Sequence, residues 1–207
     1  KLLLAGSAEV SFDLLGQLDL LPHLMPDVAA AVRDAPDSPG VRLMRLGLEK
    51  TDQRVAADQS ITPMFLFAVL LWPAILRAVD APNGPLPEDV AVLSEACYTV
   101  VSRQMRRIAV PKRFTLPMRD LILLQPRFER RSGRRALRLL EHPRFRAAYD
   151  FLLLRAQSGE IDPELAAWWT RLQEQSPEQR IAEVESQPAP ESGEAAKRRR
   201  PRRRRRA

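Results

Sequence analysis

The stretch Thr62-Pro-Met-Phe-Leu-Phe-Ala-Val-Leu-Leu-Trp-Pro-Ala-Ile-Leu-Arg-Ala-Val79 decides the fold. From Met64 to Leu76 no residue is charged, and apolar side chains fall on every side of a 3.6-residue turn. That is the pattern of a helix enclosed by others. Pro63 after Thr62 marks its start, and Pro73 is expected to kink it. The apolar run falls short of the roughly 20 residues that span a bilayer. A central buried helix is therefore expected, and no membrane helix.

The same kind of start signal recurs outward from this segment. Thr62-Pro63, His142-Pro143, Asp162-Pro163 and Ser176-Pro177 each place a polar residue where an N-cap belongs, with proline at the first helical position. Glycine is scarce, aromatic residues make up 6% of the chain, and alternating β-branched runs are absent. The spacing predicts an all-α chain, with helices near 8–20, 27–34, 39–58, 62–79, 87–109, 116–131, 134–141, 143–158, 163–175 and 177–185. On the 87–109 helix, Val90, Leu93, Cys97, Val101 and Ile108 share one face and Arg103, Arg106 and Arg107 the other. Pro82 to Pro87 is the clearest linker and Gln187 to Ala196 a second. They divide the chain into 1–81, a neck and the start of a helical body; 82–185, an Arg-rich helical domain; and 186–207, a basic tail expected to be disordered when free. A short echo links Gln125-Pro-Arg-Phe128 with His142-Pro-Arg-Phe145, each read as a turn that sets a helix start.

Charge is segregated along the 207 residues. The formal net charge of +7 equals that of the tail, which holds nine basic and two acidic residues, so residues 1–185 are neutral. Within them, 1–102 carry seven bases and 13 acids, 103–146 carry 14 and three, and 147–185 carry three and eight. A strongly basic middle between acidic flanks points to a polyanionic partner such as nucleic acid. Arginine forks suit phosphate oxygens and stack on unpaired bases, which favours RNA or single strands. The candidate contacts are Arg103, Arg106, Arg107, Lys112, Arg113, Arg127, Arg130, Arg131, Arg134, Arg135, Arg138 and Arg144, with Lys197, Arg198, Arg199, Arg200, Arg202, Arg203, Arg204, Arg205 and Arg206 in the tail. The competing reading is a solvated helix face whose arginines pair with acids of 1–102, and for the tail it is compositional drift. Phe114, Phe128 and Phe145 are read as core anchors.

Catalytic patterns are missing. Two histidines and one cysteine do not make a zinc set. His142 is read as a helix-entry residue and His23 as a loop or partly buried histidine. Cys97 sits on an apolar face, a buried small residue rather than a nucleophile, and its being single excludes an internal disulfide, so the cytoplasm is the expected compartment. No phosphate-binding glycine pattern and no Asp-x-Asp pair occurs. Gly6-Ser7 followed by Asp13 and Asp19 has the outline of a nucleotidyltransferase opening, but those acids read as surface carboxylates on an amphipathic helix. No catalytic or metal-binding residue is assigned. Lys1-Leu-Leu-Leu-Ala-Gly6 has neither an initiator methionine nor a signal-peptide core, and reads as a cut edge with more protein upstream.

The run from Pro111-Lys-Arg-Phe-Thr-Leu-Pro-Met-Arg-Asp through Leu123-Leu-Gln-Pro-Arg-Phe-Glu-Arg-Arg-Ser-Gly-Arg-Arg-Ala to Leu139-Leu-Glu-His-Pro-Arg-Phe-Arg and Arg155, continuing to Trp168-Trp169, resembles the Arg-rich C-terminal domain of the bacterial poly(A) polymerase I family. Upstream, Lys1 to Leu15 and Leu20-Leu-Pro-His-Leu-Met-Pro26 resemble that family's RNA-binding neck, shared loosely with tRNA CCA-adding enzymes. The likeness covers about residues 1–175. It implies a template-independent enzyme of the bacterial cytoplasm that adds AMP from ATP to RNA 3′ ends, promoting mRNA decay. Magnesium and ATP are implied for an N-terminal head that this chain lacks. RNA 3′ ends are the implied partner, with RNA-decay machinery such as a DEAD-box helicase as an associate. The alternatives are the corresponding region of a CCA-adding nucleotidyltransferase and a stand-alone RNA- or protein-binding adaptor.

Overall fold

The computed structural model describes residues 2–81 and 85–187. The linker residues 82–84 and the tail residues Lys197 to Arg206 fall outside them. A 3-10 turn at Leu2–Leu4 precedes α1 (Ala8–Gln17), α2 (Leu21–Leu24), α3 (Pro26–Asp34), α4 (Pro39–Ala56), α5 (Pro63–Ala78), α6 (Val90–Met105), α7 (Lys112–Phe128), α8 (Arg134–Leu140), α9 (Phe145–Gln157), α10 (Pro163–Glu174) and α11 (Pro177–Ser186). Among the described residues there is no strand.

Helix α5 is the hub: Ala68 to Leu76 is buried throughout, and α3, α4, α6 and α7 pack around it. It runs through Pro73 as one helix. Helices from both sides of residue 82 contribute to one apolar cluster, from Ala8 and Phe12 to Leu172 and Val184. No helix of the described residues is long and apolar enough to cross a membrane.

Two glycines bring α4 onto α5. A Cβ on Gly47 would collide with Val69 Cγ1, and one on Gly40 would lie 2.7 Å from Leu76 Cδ1. Val69 is β-branched and stiff at χ1, so it cannot swing aside cheaply. Gly47→Ala is expected to cost about 1–3 kcal/mol by overpacking, which thermal unfolding followed by circular dichroism would show as a lowered melting temperature.

The polar contacts between helices explain several ends. Asp52 of α4 accepts the Ala8 and Glu9 backbone N–H groups at 2.6 and 3.1 Å, capping α1 from a distance where Ser7 makes no side-chain cap. Ser176 caps α11 in a reciprocal box with Gln179, and Asp162 caps α10. Deeper in, Glu160 accepts Arg155 Nε–H at 2.7 Å and Trp72 Nε1–H at 2.6 Å. The side chains of Arg155 and Glu160 are only 2% and 1% exposed, so this ion pair ties α5 to α9 inside the core.

Several expectations are corrected. The 3-10 turn and α2 add to the expected helices, and His23 is exposed at the end of α2 rather than partly buried. Helix α7 begins at Lys112, not 116, and accommodates both Pro117 and Pro126. Pro117, near the start of the helix expected over 116–131, is an interior residue of a helix entered from Pro111. Helix α6 ends at Met105, so Ile108 lies beyond it and is 39% exposed, while Val100 and Gln104 take the core face. Gln104 is buried because its Nε2 donates to the Leu24 carbonyl at 2.9 Å.

The two Pro-Arg-Phe echoes serve opposite ends. His142 Nδ1 accepts the Arg144 backbone N–H at 3.1 Å and leads into α9, which starts at Phe145 rather than 143. The first copy closes a helix instead: Gln125 is buried inside α7 and Phe128 is its last residue. Both phenylalanines nevertheless enter one aromatic cluster, 5.9 Å apart and 5.1 and 6.0 Å from Trp169. Trp169 Nε1 donates to the Phe128 carbonyl at 2.9 Å, which fixes the end of α7 against α10.

Candidate nucleic-acid interface

Helix α7 shows why the basic residues face outward. Its buried positions Met118, Leu121, Ile122, Gln125 and Phe128 recur at 3- and 4-residue spacing and commit one face to the core. The arginines and the lysine are left to the other faces and to the turns at the helix ends. In α8, Ala136 and Leu139 are buried while Arg134, Arg135 and Arg138 are exposed. Gly133 holds φ at +69° in the turn before it, a backbone that β-carbon residues adopt at a cost.

Of the twelve candidate cations in 103–144, ten are exposed, and Arg131 and Arg144 are half-buried. Among the described residues, only Arg103 of the twelve has a carboxylate within 4 Å, Asp27 at 3.7 Å. The other ion pairs engage different residues: Arg45 with Asp13, Arg77 and Arg33 with Asp34, Arg146 with Asp150, Arg171 with Glu164. The acids of 1–102 therefore do not neutralise the block. Eleven cations without a local counter-ion raise the positive potential of this face, which only dissolved or bound anions relieve.

Apart from Arg144, at the entry to α9, the twelve cations form two groups. Arg103, Arg106, Arg107, Lys112 and Arg113 surround the α6–α7 turn, and Arg127 to Arg138 surround the α7–α8 turn. Residues 113 and 127 are separated along α7 by roughly 20 Å at 1.5 Å per residue. Arg119, between them, is half-buried and donates to Ser94 Oγ at 2.9 Å. Phe128 and Phe145 are buried as expected; Phe114 is half-buried beneath the Arg113 guanidinium, 4.9 Å from its ring centre.

A cleft of about 480 Å³ opens between α4, the start of α5 and the entry to α9. Arg144 lines it, with three cations outside the set of candidate contacts read from sequence: Lys50, Arg54 and Arg146. The signal for the first two was an i, i+4 cationic pair on α4, distant in sequence from the basic block. Asp150 is its one carboxylate, and burial raises the Asp150 pKa while the Arg146 and Arg54 charges pull it down. With a folded pKa above the unfolded one, ionisation of Asp150 weakens the fold as pH rises through and beyond the ordinary carboxylate range. Asp150→Asn is accordingly expected to raise the melting temperature at pH 7 and to lose that advantage in acid, where both states are protonated.

The remaining chemically able side chains are quiet. Cys97 is buried, and burial pushes its thiol up to about 11 against the opposing charge of Arg119, so the thiolate is scarce at neutral pH. Among the described residues, no three His, Cys, Asp or Glu converge as a metal would need.

Fold and surface define an all-helical protein with an arginine-rich face. The family model described as polymerase A arginine-rich C-terminus matches residues 87–206, more than half of the chain, and the chain belongs to that family. It is 36% identical over 199 residues to poly(A) polymerase I of Escherichia coli O6:H1, covering 92% of this chain and 42% of that protein. Poly(A) polymerase I of Salmonella typhimurium is 35% identical with the same coverage, and that of Haemophilus influenzae 33% over 193 residues, with 90% and 42% covered. The chain thus spans less than half the length of these relatives.

Proposed function

We propose that this chain is the RNA-holding part of a template-independent polymerase that adds AMP from ATP to RNA 3′ ends. The observation that carries the reading is the set of eleven cations on α7, α8 and the turns around them that have, among the described residues, no carboxylate within 4 Å. The name poly(A) polymerase I, shared by the relatives, supplies the reaction. Phosphate contacts of this kind give affinity with little base preference and release counter-ions, so binding weakens steeply with salt. RNA 3′ ends are the substrate class, polyadenylated RNA destined for decay the product, and RNA-decay machinery such as a helicase the associate, in a bacterial cytoplasm.

Magnesium and ATP belong in this reading to a head preceding the neck. Among the described residues, no group of three His, Cys, Asp or Glu is placed to hold such an ion.

The nearest alternative is the matching part of a CCA-adding transferase, and a competition between oligo(A) and tRNA for the chain decides between them. Oligo(A) displacing tRNA at comparable concentration is the expected result; tRNA binding that oligo(A) fails to displace would favour the alternative. Failure of both RNAs to bind would leave a protein-docking adaptor. The nine cations of Lys197 to Arg206 join the grip in this reading. Deleting 188–207 is expected to weaken oligo(A) binding and flatten its salt dependence while leaving helix content and melting temperature unchanged. An unchanged salt slope would remove the tail from the interface.

A further inference from the structure

We propose that the cleft between α4 and α9 holds one nucleotide of the RNA strand, its phosphate among Lys50, Arg54, Arg144 and Arg146 and its base against Ile61, Phe65 and Leu153. The inference rests on the RNA-holding reading above and adds a discrete site to it. At about 480 Å³ the cleft lies within the size range of small-molecule sites. Its lining combines an apolar wall with four cations and a single carboxylate, Asp150. That leaves a cationic excess suited to a phosphate dianion or diester, and an apolar face suited to a nucleobase.

Two of the groups are held in place. Arg54 donates from Nε and Nη2 to the Ser60 carbonyl at 3.1 and 2.9 Å, which ties the α4–α5 loop to α4 and sets the guanidinium at the rim. Phe65 packs edge-on against Phe151 with ring centres 6.0 Å apart, so its ring is braced from behind. Arg146 shares its charge with Asp150 at 3.2 Å, whereas Arg144 and Lys50 have no ion-pair partner among the described residues. The chain's own basic tail is repelled from such a cleft, and a purely apolar peptide would leave the four cations stranded.

Arg144 links the cleft to the exposed block, because it is the residue that the two share. A strand running along the α7–α8 arginines therefore meets the cleft at the turn into α9. There a single base can leave the stack and enter, as bases bound on single strands commonly do.

The test is a two-dimensional NMR titration of the intact chain with adenosine 5′-monophosphate, with inorganic phosphate as a parallel probe. The expected result is saturable shifts of the amides of Lys50, Ile61, Phe65 and Arg146 with the nucleotide, and weaker, less complete shifts with phosphate. The Lys50→Ala, Arg144→Ala double variant, altered at an exposed and a half-buried side chain, is expected to keep its melting temperature and to bind the nucleotide at least tenfold more weakly. Equal responses to the two probes would reduce the site to a phosphate patch and overturn the proposal. So would nucleotide shifts scattered over the arginine face without saturation. Oligo(A) binding that falls on reversing Arg130 and Arg134 while the nucleotide stays out of the cleft would sink this inference alone. Nucleotide in the cleft with oligo(A) indifferent to those reversals would instead sink the wider grip.

Discussion

Glu160→Ala is expected to destabilise the fold by about 3–5 kcal/mol, the range for removing one partner of a buried ion pair. The carboxylate is the shared acceptor of Arg155 Nε–H and Trp72 Nε1–H, with both charged side chains almost wholly enclosed. Without it, the Arg155 guanidinium keeps only a long contact to Gln125 Oε1 at 3.5 Å and the face of Trp72 at 5.6 Å. At about 2–4 °C per kcal/mol for a chain of this size, the melting temperature should fall by roughly 6–20 °C. Joint replacement, Arg155→Met with Glu160→Gln, removes both buried charges while keeping an acceptor for the Trp72 indole. It is expected to recover most of the stability, since matched removal of a buried pair is far less costly than orphaning one member. An unchanged melting temperature in Glu160→Ala would mean that water or another acceptor satisfies Arg155.

Reversing two surface arginines should have the largest effect on binding. Arg130→Glu with Arg134→Glu is expected to weaken oligo(A) binding at least tenfold, about 1.4 kcal/mol. It should also reduce the magnitude of the salt slope by about 0.7 for each single-strand phosphate that the variant no longer touches. Both residues are exposed and lack a carboxylate within 4 Å among the described residues, so the change should leave stability almost unaltered. Arg171→Glu is the matched control: Arg171 is exposed too, but already paired with Glu164 across α10. Arg180 makes a poorer control, because its Nε and Nη2 donate to the Leu172 and Gln173 carbonyls at the end of α10. Arg171→Glu changes half as much charge as the double reversal, so a loss of half the binding free energy in it would reduce the effect to net charge.

The helical class and the hub were legible because Met64 to Leu76 has no polar face, and a helix of that kind has no stable place except inside others. The starts at Pro63, Pro163 and Pro177 were legible because proline at a first turn forfeits no hydrogen bond. The same rule misleads at Pro143: at 142–145 the turn extends two residues further because His142 Nδ1 takes the Arg144 N–H. The short α2 carries no start signal beyond Pro22, and the capping of α1 by Asp52 spans more than forty residues of chain. Neither is a local property.

Of the candidate interface, the arginine block itself was readable from charge segregation, and the structure adds that, among the described residues, Arg103 alone of its twelve candidate contacts has a carboxylate within 4 Å. Lys50 and Arg54 offered only their i, i+4 spacing, because they sit on the acidic-rich first half and join Arg144 through the packing of α4 against α9. The Arg155–Glu160 pair was equally hidden. An arginine and a glutamate five residues apart look like surface residues until Trp72 and Gln125 close over them.

The most direct test of the central claim is the salt dependence of oligo(A) binding by residues 1–187, the basic tail removed, followed by fluorescence anisotropy. The prediction is binding at low salt with log K falling linearly against log salt at about −0.7 per phosphate contacted, and a shallower slope in Arg130→Glu, Arg134→Glu. A body that binds no oligo(A) at low salt, or binds it with no dependence on salt, would contradict the assignment of the α6–α8 arginines to the RNA backbone.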